Sequence, residues 1–108
     1  MYTIILLTIF TIILDITSGI LKAIKNKEFN STKLRKGGLN KVAELLVIVF
    51  GVVLTIALPR FNINIGFNVS YVICAYLFLM ECTSIIENIG EINPNIIPPK
   101  ISNFFKKL

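Results

Sequence analysis

Three long apolar stretches, separated by polar ones, set the frame of this chain. Residues 2–21 are apolar apart from scattered hydroxyls and Asp15. Twenty helical residues rise about 30 Å, the thickness of a hydrocarbon core. A second apolar block covers 42–59, near the lower limit for a span, and snorkelling of Lys41 can lengthen it. A third covers 67–88, with Glu81 and Glu87 in its second half and Asn93, Pro94, Asn95, Pro98 and Pro99 beyond it to stop a helix. The chain then places Ile101, Phe104, Phe105 and Leu108 at i, i+3, i+4, i+7 beside Lys100, Lys106 and Lys107. That spacing predicts a short amphipathic helix over 99–108, with Phe104, Phe105, Lys106 and Lys107 at an interface.

Between the first two blocks, residues 22–41 reverse the character. They hold Lys22, Lys25, Lys27, Lys33, Arg35, Lys36 and Lys41 against Glu28 alone, with the turn formers Asn30, Ser31, Gly37 and Gly38. A solvated basic loop is expected there. The pattern as a whole predicts an all-α integral membrane protein of three transmembrane helices, a basic loop between the first two, and an amphipathic tail. The 108 residues are expected to form one membrane domain.

Composition supports lipid as the solvent. Hydrophobic residues make up 55% of the chain and charged residues 16%, against about 25% in soluble domains. Mean hydropathy is +0.79. A soluble core of this size would leave a large apolar patch exposed. The first block lacks a basic start and a small-x-small site and carries an acid, so a cleaved signal peptide is not expected.

Charge orients the spans. The net charge is +5, with seven cations in the first connection, Arg60 alone in the second, and three in the tail. Positive-inside counting puts the first connection and the tail in the cytoplasm and the amino terminus outside. The expected location is a bacterial cytoplasmic membrane, N-out and C-in.

Polar residues inside the spans follow helical steps. Thr8, Thr11, Asp15, Ser18 and Lys22 share one face of the first span, beside Gly19. Ser70, Cys74, Glu81, Ser84 and Asn88 share a face of the third, and Glu44, Gly51 and Thr55 a stripe of the second. A carboxylate at mid-span costs about 2.5–3.5 kcal/mol on insertion scales, so Asp15 needs a partner helix or water. Two readings are open. The stripes line subunit contacts or a water-filled lesion, or they join the three helices of one monomer. Lys22 lies two turns from Asp15, so a neighbouring subunit is as reasonable a partner for Asp15 as Lys22.

Catalytic and ligand-binding signals are missing. Histidine is absent, and Cys74 and Cys82 have neither zinc nor CxxC spacing. Gly37-Gly38-Leu39-Asn40-Lys41 lacks the Walker spacing and its hydroxyl. The basic loop has no interleaved aromatics beyond Phe29, which argues against nucleic acid. No enzyme activity, cofactor or metal is expected.

Three motifs resemble those of the phage-lysis and toxin-secretion holins, the small three-span kind. Asp15, Gly19 and Ala23 fit that family's D-x-x-x-G-x-x-x-A pattern. Asn30-Ser31, followed by Gly37, Gly38 and Lys41, is similar to its N-S…G-G-x-x-K segment. Glu81, Ser84, Ile85, Glu87 and Asn88 match E-x-x-S-I-x-E-N. The resemblance implies a protein that homo-oligomerises in membrane lipid and opens lesions. An endolysin or a large toxin would leave through them without required direct contact. It also implies roles for Asp15, Gly19, Ser31, Gly38, Lys41, Glu81, Ser84, Glu87 and Asn88. The competing readings are a small membrane adaptor or immunity protein and an ion-conducting subunit, neither of which makes a large hole.

Overall fold

The computed structural model describes residues 2–108, and all of its regular structure is helical. Helix α1 runs Tyr2–Asn26, α2 Ser31–Arg60, α3 Val69–Ile92 and α4 Pro99–Lys106. The first three are each long and apolar enough to cross a membrane.

Local sequence explains where each helix stops. At the end of α1, Lys27 takes a left-handed conformation (φ 55°) while the Glu28 amide donates to the Ala23 carbonyl and the Lys27 amide to that of Ile24. This is the Schellman closure of a helix C-terminus. The end of α2 repeats it with Asn62 (φ 60°), as the Ile63 amide reaches Leu58 and the Asn62 amide reaches Pro59. Asparagine tolerates that conformation because its short polar side chain adds local hydrogen bonds. Asn30 and Asn68 cap the next helices, accepting from the Thr32 amide (2.8 Å) and the Tyr71 amide (3.0 Å). Gly66 supplies the positive φ of 81° in the turn between α2 and α3.

The basic connection is present, but its solvated loop is confined to residues 27–30. Ser31, Gly37 and Gly38 do not turn the chain. They lie exposed within the first turns of α2. Each glycine costs a helix only about 1 kcal/mol relative to alanine, too little to stop a helix that propagates cooperatively on both sides. The helix that carries the second apolar block therefore begins eleven residues before Val42.

Helix α3 is the centre of the arrangement. It packs along α1 and, less extensively, along α2, while α1 and α2 scarcely meet. One small core joins all three: Ile12 from α1, Ile48 from α2, Cys74 and Leu77 from α3. Polar residues dominate the interior. Thr8, Thr11, Asp15, Ser18, Ser70, Glu81 and Asn88 are buried, whereas Phe10, Phe50, Val53 and Tyr76 face outward. Lipid makes this inversion favourable, because apolar side chains gain nothing by leaving it and polar ones must find partners inside the protein.

Candidate functional site

The polar face of α1 and the polar face of α3 are turned toward each other, and α2 closes them at one level. There the Lys41 ammonium enters from α2. It donates to Asp15 Oδ2 on α1 (2.5 Å) and to Glu81 Oε1 and Oε2 on α3 (2.8 and 2.7 Å). Glu44, one turn along α2, brings Oε2 to 3.6 Å from the same nitrogen, and that oxygen makes no hydrogen bond. Three carboxylates thus gather around one cation. Asp15 has its second oxygen occupied as well: the Asn88 amide donates to Oδ1 (3.1 Å) and to Ser18 Oγ (3.0 Å). Such charge-assisted bonds are roughly twice as strong as neutral ones. Here they tie three helices through a single side chain.

Neutral contacts continue the seam toward the other end. Thr55 Oγ1 accepts from the Ser70 amide (3.1 Å) and lies 3.1 Å from the Ser70 hydroxyl, linking α2 to α3. Gly51 faces the same contact: a Cβ there would meet Ile73 Cδ1 at 2.9 Å and the Ser70 Cα at 3.6 Å. Thr8 donates to the Ile4 carbonyl (2.8 Å) and lies 3.4 Å from the Cys74 carbonyl. Thr11 satisfies its hydroxyl on the Thr8 carbonyl, 2.7 Å away.

The residues singled out by pattern separate into three groups. Thr8, Thr11, Asp15, Ser18, Ser70, Cys74, Glu81 and Asn88 are buried within the three-helix bundle. Gly19 lies beside Asn88, and Ser84 is half-buried on the wall of a crevice of about 320 Å³ that Asp15, Lys41, Gly37 and Gly38 also line. Glu87, in contrast, is exposed and off the shared face. Lys22 pairs with Glu91 at 3.1 Å, an acid of its own chain. In the tail, Phe104 is exposed and packs edge-to-face on the half-buried Phe105 at 5.2 Å. Lys106 and Lys107 are exposed.

Two features escape periodicity arguments. Lys41 reads as the last cation of a basic loop, yet it is the counter-ion of the buried acids. Its i, i+3 spacing to Glu44 was the available signal. Lys25 caps α3 by donating to the Glu91 and Ile92 carbonyls (2.9 and 2.6 Å), a contact between distant parts of the chain. Among the described residues no group of His, Cys, Asp and Glu side chains is arranged to hold a metal ion.

No curated protein and no solved structure matches the chain significantly. The sequence profile described as the bacteriophage holin family matches residues 1–108, the whole chain. This is not an enzyme family, and with the whole chain matched the protein belongs to the bacteriophage holin family.

Proposed function

We propose that this protein is a timed permeabiliser of a bacterial cytoplasmic membrane, acting as one membrane domain over its full length. It accumulates N-out and C-in, associates with copies of itself, and opens lesions. A cell-wall hydrolase or a large toxin then leaves the cell, with no need to bind this chain.

The observation that carries the reading is the closed polar seam. Thr8, Thr11, Asp15, Ser18, Ser70, Glu81 and Asn88 form a hydrophilic surface running much of the bundle's length, entirely hidden between helices of one chain. Hidden, it lets the monomer rest in lipid with an apolar exterior. Turned outward, the same surface offers polar walls to water or to the stripe of a neighbouring copy. Both states use the same residues, so a two-state switch requires no additional machinery. Helix α2 is the element suited to move. Its contacts with α1 are few, and Lys41 and Thr55 supply its polar ties to the other two helices.

The test is inducible expression in a bacterium carrying a folded cytoplasmic reporter enzyme. Abrupt arrest of growth with escape of the reporter is the expected result. Loss of ions with the reporter retained would assign the protein to narrow conductors, and steady growth to adaptors.

A further inference from the structure

The charged end of the bundle holds a surface that the seam does not use. The Lys22–Glu91 pair (3.1 Å) and the Lys25 contacts to the last carbonyls of α3 fix the C-termini of α1 and α3 side by side. That junction brings the α1–α2 corner and α4 to the same end. Lys22, Lys25 and Lys41 are engaged within the chain. The rest are not. Lys27, Lys33, Arg35 and Lys36 at the corner, and Lys100, Lys106 and Lys107 on the tail, are exposed and have no ion-pair partner among the described residues. Among the described residues, Glu28 and Glu87 are the exposed side-chain acids without an ion-pair partner at that end.

Helix α4 adds an apolar flank to this basic field. Phe104 is 57% exposed and Ile101 47%, and Leu108, just past the helix, is 67% exposed. Pro99 starts the helix and α4 touches only α3, so this flank has no cover within the chain. A surface that is apolar on one side and cationic on the other is matched by one environment at a bilayer: acyl chains beneath anionic headgroups. A nucleic acid would satisfy the lysines but leave Phe104 and Leu108 in water.

We propose that α4 and the α1–α2 corner form a binding surface for anionic phospholipid. Ile101, Phe104 and Leu108 enter the acyl boundary, while Lys100, Lys106 and Lys107 meet lipid phosphates. The proposal rests on the membrane-spanning part of the reading above and is independent of lesion formation. The tail then acts as an anchor whose hold depends on the anionic lipid content of its leaflet.

The chain contains no tryptophan, so Phe104→Trp gives the full-length protein a single reporter. It is reconstituted into phosphatidylcholine vesicles with and without phosphatidylglycerol, each doped with brominated lipid. The expected result is stronger quenching with phosphatidylglycerol, a response that fades as salt rises. Replacing Lys100, Lys106 and Lys107 by Gln in the same protein should lower the bound-to-free ratio of the tail about fivefold per lysine. Carbonate-resistant insertion, scored on the same vesicles, separates failure of the tail from failure of the spans. Equal quenching in both lipids, or an undiminished phosphatidylglycerol response in the triple variant, overturns the proposal. So does withdrawal of the tail from phosphatidylglycerol vesicles by a short RNA duplex, which would mark a general polyanion site.

Discussion

Asp15 on α1 and Glu81 on α3 accept hydrogen bonds from the same ammonium, that of Lys41, at 2.5 Å and 2.7–2.8 Å. Asp15 also reaches α3 through the Asn88 amide (3.1 Å), and the Lys41 cation of a third helix joins the two acids. Because like charges held this close repel, the arrangement depends on Lys41 remaining seated. The protein's behaviour under substitution should therefore be most sensitive here.

Asp15→Asn keeps the shape of the side chain and removes one of the carboxylates that hold Lys41. A hydrogen bond to a charged group contributes about 1.5–3 kcal/mol. The tie between α1 and α2 should weaken by that order, and lysis should begin earlier at matched expression. Growth curves with quantified membrane protein check this. Unchanged timing would remove Asp15 from the control of opening.

Lys41→Met should be more severe, because it leaves Asp15, Glu44 and Glu81 facing one another without a cation. Removing one partner of a buried pair costs about 3–5 kcal/mol, whereas removing all partners is far milder. Adding Asp15→Asn and Glu81→Gln to Lys41→Met should therefore restore most of the stability lost. Unfolding in mixed micelles, arranged as a mutant cycle, measures the coupling. Strict additivity would show that the cluster does not act as a unit.

Cys74 and Cys82 report on the seam without any engineered probe. Cys74 is 1% exposed against α1, and Cys82 is partly exposed. In a Cys82→Ser background, Cys74 should resist a membrane-impermeant thiol reagent before onset and react with it after. Protection that persists through lysis would mean that this face never meets water, and the proposed outward turn of the stripe would fail.

Glycines in α2 should behave in opposite ways. Gly51→Leu places bulk where even a Cβ meets Ile73 Cδ1 at 2.9 Å, with the Ser70 backbone at 3.6 Å, and should push α2 off α3. Nothing lies within 4 Å of a Cβ at Gly37 or Gly38. Alanine at either should stabilise the start of α2 by about 1 kcal/mol through helix propensity alone. Amide exchange over residues 31–41 and thermal melting in detergent distinguish the two effects. Equal effects of the substitutions would contradict the contact geometry.

Much of this architecture is legible in the sequence, and the reason is physical. Lipid imposes one requirement on every spanning residue, that backbone groups bond internally and side chains be apolar unless partnered, so length and hydropathy suffice to find the three helices. Helical spacing likewise identifies the polar faces. Thr8, Thr11, Asp15 and Ser18 lie on one side of α1, and Ser70, Cys74, Glu81 and Asn88 on one side of α3, whatever they contact. Glu87 fell outside because its place in a family motif is not a place on that face.

Partnership is another matter. Periodicity says which side of a helix is polar and nothing about which helix will meet it. Lys41 belongs by sequence to a basic segment with Gly37 and Gly38, and only the continuation of α2 through those glycines carries its ammonium to Asp15 and Glu81. Lys22 stands on the stripe of Asp15 but bonds Glu91, because the end of α3 lies nearer to it than the middle of its own helix. The sequence by itself determined the spans, their polar faces and the charge at one end, since these follow from local spacing and from the solvent. The tertiary structure alone decided that the stripes close on one another around one lysine, since that depends on how three helices of fixed lengths and caps are set side by side.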